Sequence, residues 1–253
     1  MKKRAFTAVM GTLLVTIALA GCGGAPAASS QVDSGSSISQ SSSSTEAPPE
    51  QLAGGWRTYD GATPAYTDEE KAVFDKATEG ATGVGYELVR TLGTQVVSGT
   101  NYAFLARGTT VTAEPVTAWY VIVAYRDLSG NVSLSSAQPI DLANPKTTDK
   151  TASTNVVGAW ELCPPSNAVL EPKEVGDAFS KASQGYAGVA LSPIATLGSQ
   201  VVSGANYLVL CEGTPAAQDA KEQLYLVTLY VDPQGTATIS DVRGFDLLGY
   251  LAG

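Results

Sequence analysis

The sequence predicts the α+β fold class, as two tandem copies of one domain in which a single helix packs on a five-stranded antiparallel sheet. The first observation is a long repeat. "TLGTQVVSGTNYAFL" at 91–105 returns as "TLGSQVVSGANYLVL" at 196–210, with 11 of 15 positions identical at an offset of 105. The second is the order of patterns in each copy, where one helical segment precedes four segments rich in β-branched and aromatic residues. Together they predict the element order β-α-β-β-β-β, present twice.

The first 22 residues have the features of an export signal. Basic residues stand at positions 2–4, an apolar stretch follows at 5–20, and Leu-Ala-Gly-Cys occupies 19–22. This ending resembles the lipobox of bacterial lipoproteins, in which the cysteine is lipidated and the peptide bond before it is cut. The resemblance implies a signal peptide at 1–21 and lipidation of Cys22. The protein would then be exported and anchored to the bacterial cell membrane on its extracytoplasmic side.

A segment rich in Ser, Gly and Pro at 22–50 separates this signal from the rest of the chain. It has no apolar periodicity, which predicts a disordered tether. The formal charge of the chain is −9, and it becomes −12 once the three basic residues of the signal are removed. We do not expect so acidic a chain to bind nucleic acid.

The composition also argues against several kinds of active site. The chain has no histidine, which removes Ser-His-Asp and Cys-His catalysis and the common zinc sites. It has no phosphate-binding glycine loop and no run of carboxylates at metal-ligand spacing. We therefore expect no enzyme activity, no cofactor and no metal.

The first copy begins with a short strand at 56–59 and continues into a helix. Thr67 and Glu70 have the spacing of a capping box, which predicts Thr67 as the N-cap. The helix that follows buries Phe74 and its neighbours on one face and ends before Gly80.

Four strands follow the helix, predicted at 86–93, 100–108, 117–127 and 131–142. The QVVSG stretch falls at the hairpin between the first two, and a second turn falls between the last two. The polar segment 143–155 has no apolar face, and this pattern predicts a linker. The predicted domains are therefore 51–142 and 156–253, each large enough for a core of its own.

The motif Gln-x-Val-x-Gly stands at the first hairpin of both copies, followed each time by x-Asn-Tyr. It consists of Gln95, Val97 and Gly99 in the first copy and Gln200, Val202 and Gly204 in the second. A Gly-x-Trp sequence precedes each helix, at 54–56 and 158–160. In this order of motifs and elements the chain resembles the cystatin–stefin family of papain-like cysteine protease inhibitors, over nearly the whole of both copies.

In that family an N-terminal trunk and two hairpins form a wedge at one edge of the sheet. The resemblance implies that the wedge reversibly enters the active-site cleft of the protease. In the first copy the implied protease-binding residues are Leu52, Ala53, Gly54, Gln95, Val96, Val97, Ser98, Gly99, Leu128, Ser129 and Gly130. In the second copy they are Val156, Val157, Gly158, Gln200, Val201, Val202, Ser203, Gly204, Pro233, Gln234 and Gly235.

The second hairpin departs from the family pattern. Secreted cystatins carry Pro-Trp there and stefins carry Leu-Pro-Gly, whereas this chain has Leu-Ser-Gly at 128–130 and Pro-Gln-Gly at 233–235. One expected function is a monomeric, surface-anchored inhibitor of papain-like cysteine proteases from a host, a competitor or the cell itself. The alternative is a non-inhibitory protein-binding or envelope module, in which QVVSG is only a hairpin that folding requires.

Two further cysteines, Cys163 and Cys211, occur in the second copy alone, and export favours their oxidation. If a strand lies between them, they are roughly 10 Å apart, which is too far for a disulfide. A bridge needs the first strand to end early, as the prolines at 164–165 allow, so the sequence leaves the disulfide open. The three tryptophans are expected to pack in the core or at its edge.

Overall fold

The computed structural model describes residues 55–58, 64–148, 159–163, 170, 173–217 and 221–251. The expected signal peptide, the tether and Cys22 lie outside these residues. In the first copy the elements are β1 (Trp56–Thr58), α1 (Asp68–Thr78), β2 (Val84–Val97), β3 (Gly99–Thr110), β4 (Thr117–Arg126) and β5 (Val132–Pro139). In the second copy they are β6 (Glu161–Leu162), α2 (Lys173–Ser183), β7 (Val189–Val202), β8 (Gly204–Pro215), β9 (Gln223–Val231), β10 (Ala237–Gly244) and α3 (Leu247–Leu251).

The described residues form an α+β fold with two five-stranded antiparallel sheets, which confirms the predicted class. Sheet one has the strand order β1-β2-β3-β4-β5, and sheet two has the order β6-β7-β8-β9-β10. Consecutive strands are neighbours in each sheet, and the helix is inserted after the first strand of each. The sequence pattern does not predict α3. None of the helices in the described residues is long and apolar enough to span a membrane.

The N-terminus of α1 is fixed by the capping box that the sequence predicts. The Glu70 amide donates to Thr67 Oγ1 at 3.2 Å, and the Thr67 amide donates to Glu70 Oε2 at 2.8 Å. Two amides that lack partners inside the helix are thereby bonded. Val73, Phe74 and Ala77 are buried, as their spacing along the helix predicts.

Each of the two longer helices covers one face of its own sheet. The Phe74 ring of α1 meets Phe104 of β3 edge to face, with 5.4 Å between the ring centroids. In the second copy Phe179 of α2 packs with Val209 and Val227. Phe74 and Phe179 are 105 positions apart, so the repeat extends to the packing of the helices.

The opposite faces of the two sheets share one hydrophobic cluster. Leu105 and Trp119 of sheet one pack in this cluster with Leu210 and Leu226 of sheet two. The described residues after position 48 belong to one compact unit. Each copy thus has one cluster of its own beneath its helix and shares a second cluster with the other copy. The physical reason is that one helix covers only one face of a sheet, and the other face is also apolar.

A buried hydrogen bond crosses between the sheets. The indole Nε1 of Trp119 donates to the carbonyl oxygen of Leu197 at 2.6 Å. Leu197 lies where the register of β7 shifts between Thr196 and Gly198, and its carbonyl also accepts from the Cys163 amide at 3.4 Å. The bulge thus supplies the acceptor that the first copy's tryptophan needs. The expectation that Trp119 packs in the core is confirmed, since it is buried.

The first residues of the predicted linker are hydrogen-bonded to the second copy. The Thr148 amide donates to the Gly244 carbonyl at 2.9 Å, and Lys146 Nζ donates to the Gly249 carbonyl at 2.6 Å. Residues 149–155 lie outside the described part of the chain. The start of the linker therefore contributes contacts between the two copies.

Cys163 and Cys211 are both free and buried. Cys163 directly follows β6 and Cys211 lies on β8, and β7 stands between these two strands. Two strand spacings are about 10 Å, which exceeds the reach of a disulfide. Burial raises the pKa of the Cys163 thiol, and it raises that of Cys211 well above its ordinary value. Both groups are therefore neutral thiols at pH 7.

Candidate protein-binding site

The first hairpin of sheet one turns at Ser98, where Val97 pairs with Gly99. Gly99 has a φ of 128°, a left-handed conformation that side chains disfavour. A Cβ added to Gly99 would collide with the carbonyl oxygen of Arg126 and would stand 2.8 Å from the Tyr125 ring. The turn therefore requires glycine at this position.

The second hairpin lies beside the first, at the same end of sheet one. Thr100 pairs with Arg126, so the turn that follows Arg126 is adjacent to the turn at Ser98. The Tyr125 hydroxyl donates to the Ser98 carbonyl and ties the two hairpins together. We call residues 95–101 and 126–131 the first tip.

An aspartate fixes the second turn of the first tip. Asp127 Oδ1 accepts hydrogen bonds from the amides of Ser129 at 2.8 Å and Asn131 at 2.9 Å. The side-chain hydrogen bond from Asn131 is the main cause that holds the pKa of Asp127 below its usual value. Gly130 takes a φ of 86° with open space around it. This turn is therefore ordered, although it is exposed.

The strand β1 reaches the same end of the sheet. Trp56 pairs with Gln95, and β1 then runs away from the tip, so that Thr58 pairs with Gly93. In sheet two Glu161 and Ser199 pair in a similar way. The predicted trunk residues lie outside the described part of the chain. They are Leu52, Ala53 and Gly54 in the first copy and Val156, Val157 and Gly158 in the second.

The hairpin of sheet two repeats this geometry. Gly204 has a φ of 118°, and the Tyr230 hydroxyl donates to the Ser203 carbonyl at 2.6 Å. Asp232 accepts from the amides of Gln234 and Thr236. We call residues 200–206 and 231–236 the second tip. Pro233, Gln234 and Gly235 are exposed in its second turn.

The glutamine of the motif has a structural role inside each tip. Asn101 Nδ2 donates to Gln95 Oε1 at 2.8 Å, and Asn206 Nδ2 donates to Gln200 Oε1 at 3.0 Å. These residues stand directly opposite each other on neighbouring strands. The cross-strand pair explains why both residues recur at the hairpin, without any reference to a partner.

The valines of the tips are not all exposed to the same extent. Val97 is 40% exposed in the first tip, and Leu128 beside it is 86% exposed. In the second tip Val201 is 79% exposed. Val96 and Val202 are half-buried. Each tip therefore presents aliphatic surface to solvent, but through different members of the valine pair.

A row of residues across the strands also differs between the two tips. In the first tip the row is Val96, Thr100, Arg126 and Val132, and in the second it is Val201, Ala205, Val231 and Ala237. Arg126 is held by Glu69 at 2.5 Å and lies over the Tyr102 ring, 5.5 Å from its centroid. The second tip has Val231 at the position of Arg126, so its row is wholly aliphatic or small.

Sequence reasoning missed the two tyrosines and Arg126. Tyr125 and Tyr230 are 105 positions apart, like the glycines that they contact, so the repeat itself carried the signal. Their hydroxyls reach the turn only through the pairing of the third and fourth strands, which the sequence does not give. Arg126 has no counterpart in the second copy and left no signal.

A cavity of about 150 Å³ lies behind the second tip. Its walls are Leu142, Ala143, Trp160, Asn206, Leu208, Thr228, Ser240, Asp241 and Arg243. Arg243 is buried and paired with Asp241, with 2.7 Å between Nε and Oδ2. Leu142 comes from the first copy and Ala143 from the start of the predicted linker, so the cavity marks a place where the two copies meet.

Within the described residues no group of three or more Cys, Asp or Glu side chains is placed to hold a metal ion. The candidate site is thus a pair of polypeptide tips with exposed aliphatic side chains. Comparison with models of known protein families found no match, and comparison with curated protein sequences found none either.

Proposed function

We propose that this chain is an exported, lipid-anchored inhibitor of papain-like cysteine proteases, with a cystatin-like wedge at the end of each sheet. One observation carries the proposal. In each sheet two hairpin turns lie side by side at one end, the first strand starts beside them, and aliphatic side chains are exposed there. A narrow ridge of this kind is suited to an active-site cleft that is itself apolar.

The proposed mechanism is occlusion without cleavage. The turn at Ser98 is held before binding by Gly99, by the Tyr125 hydroxyl and by the Gln95–Asn101 pair. A hairpin that is already ordered loses little conformational entropy when it binds. Aliphatic side chains then leave water, and full burial of a valine or leucine contributes about 1.5–3 kcal/mol. Binding is reversible because no covalent bond forms.

An inhibition assay tests this function. The whole chain, purified in detergent, is titrated into papain with a fluorogenic peptide substrate, and we expect inhibition near stoichiometric concentrations. Val97→Asp, Leu128→Asp and Val201→Asp together should weaken it at least about tenfold, since an unpaired charge is costly to bury. Val111→Asp with Val116→Asp is the matched control for the first tip, because these exposed valines lie at the other end of sheet one. Absence of inhibition at micromolar concentration would contradict the proposal.

A non-inhibitory binding module is the second candidate, and one observation favours it. The Gln95–Asn101 and Gln200–Asn206 pairs give the recurring motif a structural purpose, so a protease target is not needed to explain it. Under this function the triple aspartate variant would fold normally and papain would remain active with the unchanged chain. The same assay therefore separates the two candidates.

A further inference from the structure

The contacts between the sheets reveal which way each tip points. Trp119 lies near the start of β4, which runs toward the first tip and reaches it at Arg126. Trp119 is thus at the end of sheet one that is far from the first tip. Its indole donates to Leu197, which lies only six positions before Ser203 in the second tip. The far end of sheet one therefore packs against the tip half of sheet two.

A second contact gives the same direction. Leu142 follows β5, which starts at the first tip and runs away from it, so Leu142 is also at the far end of sheet one. Its Cδ1 would be 2.7 Å from a Cβ added to Gly198 of β7. Leu142 also shares the cavity wall with Asn206, which belongs to the second tip. The two tips accordingly lie at opposite ends of the packed sheets.

The separation of the tips follows from the strand lengths. From Ser98 to the level of Trp119 sheet one extends nine residues along β3, and from Leu197 to Ser203 sheet two extends six residues along β7. At about 3.3 Å per residue, and allowing for the angle between packed sheets, the turns are on the order of 40 Å apart. A globular partner of about 220 residues has a radius of gyration of roughly 17 Å. Two such partners fit without contact.

We propose that one chain binds two protease molecules at the same time, one at each end, through tips that are held rigidly apart. The nature of the partner rests on the proposed function, whereas the opposed directions rest on the contacts between the sheets. The shared hydrophobic cluster fixes this arrangement, so simultaneous binding does not depend on a flexible linker. The tips are not equivalent, since Arg126 borders the first and Val231 the second.

Stoichiometry tests the proposal directly. The probe is papain with a blocked catalytic thiol group, mixed in excess with the whole chain in detergent and examined by native mass spectrometry. We expect two papain molecules per chain, and one for either Val97→Asp with Leu128→Asp or Val201→Asp. If the unchanged chain and both single-tip variants all bind one molecule, the tips exclude each other and the proposal fails. If no complex forms, both this proposal and the proposed function are overturned.

A distance measurement tests the geometry without any partner. Spin labels are placed at Ser98→Cys and Ser203→Cys in a chain with Cys22→Ser, Cys163→Ala and Cys211→Ala. We expect a distance on the order of 40 Å between the labels. Labels at Ser98→Cys and Ser129→Cys, both in the first tip, form the matched control and should lie within about 20 Å. A distance under about 25 Å between the two tips would overturn the opposed arrangement.

Discussion

At position 99 the backbone combines a positive φ with almost no free space. The nearest atoms to an added Cβ belong to the Arg126 carbonyl and the Tyr125 ring, and both are held by the sheet. Gly130, in the next turn, has a positive φ but open space around it. Substitutions at these two glycines therefore distinguish the free-energy cost of backbone strain from that of steric collision.

We predict that Gly99→Ala destabilises the chain by more than about 2 kcal/mol, because it adds a collision to left-handed strain. Gly130→Ala should cost about 1–2 kcal/mol, from strain alone. Gly80→Ala, where φ is ordinary and no atom is near, should be close to neutral. Urea denaturation followed by tryptophan fluorescence gives the three values. Equal effects of Gly99→Ala and Gly130→Ala would contradict the steric argument.

The amide pair behind each turn is the second feature at this scale. We predict that Gln95 and Asn101 have a coupling energy of about 1 kcal/mol in a double-mutant cycle with alanine. Gln200 and Asn206 should give a value at least as large, because Gln200 is buried. Unfolding free energies of the single and double variants measure both. A coupling energy near zero would mean that the hydrogen bonds do not stabilise the tips.

Asp127 makes the stability of the second turn of the first tip dependent on pH. Its pKa is lowered in the folded chain, chiefly by the Asn131 side chain, so its stabilising effect is present above the ordinary pKa of aspartate. That effect is lost as the pH falls through the lowered value. We predict that carbon-detected NMR will find the Asp127 pKa below that of an unstructured peptide, and that Asn131→Ala will raise it. A value unchanged by Asn131→Ala would refute this cause.

Among the secondary-structure elements, β4 carries the buried side-chain hydrogen bond between the two sheets. We predict that Trp119→Phe destabilises the chain by about 1–3 kcal/mol, because it removes the donor to Leu197 and leaves a small void. Trp56→Phe is a matched control, since that side chain is only partly buried against the same cluster. Denaturant midpoints measure the difference. Equal losses from the two variants would show that the bond between the sheets contributes little.

The elements themselves could be predicted from local patterns. The capping-box spacing of Thr67 and Glu70 predicts the start of α1, and the turn residues predict where the strands end. The joining of the sheets was missed, although the signal was present. Phe104 faces the helix and Leu105 faces the other sheet, so β3 is apolar on both faces, as strands between two layers are. Deciding what covers the second face requires the arrangement of the whole chain in space.

The candidate site was predictable in part, for a similar reason. Gly99 and Gly204 could be assigned to turns because glycine adopts a positive φ without the steric cost that a side chain brings. The residue in line with Val96 or Val201 two strands away is Arg126 in the first tip and Val231 in the second. That neighbour is set by strand register, which the sequence alone does not fix.

For the whole molecule, the shared cluster predicts that the copies unfold together. Leu105→Ala lies in sheet one and should cost about 2–5 kcal/mol. We expect it to speed the labelling of Cys163 and Cys211, which lie in the second copy, by a thiol reagent in a Cys22→Ser chain. Leu128→Ala is the control and should leave labelling unchanged, because Leu128 is exposed. If Leu105→Ala leaves the labelling rate of Cys163 and Cys211 unchanged, the two copies are independent folding units.

The face that Leu105 and Trp119 bury against sheet two would determine how a single repeat behaves on its own. A lone repeat would leave this face bare, and it would have to self-associate through an isologous contact. Fusing two repeats makes that association independent of concentration. Fusion also allows the two repeats to carry different residues at equivalent positions. Buried Arg107 in one half corresponds to buried Glu212 in the other, and Trp119 corresponds to Leu224. The chain thus has the arrangement expected of a dimer of one repeat, with the two repeats joined in one chain and different residues at equivalent positions.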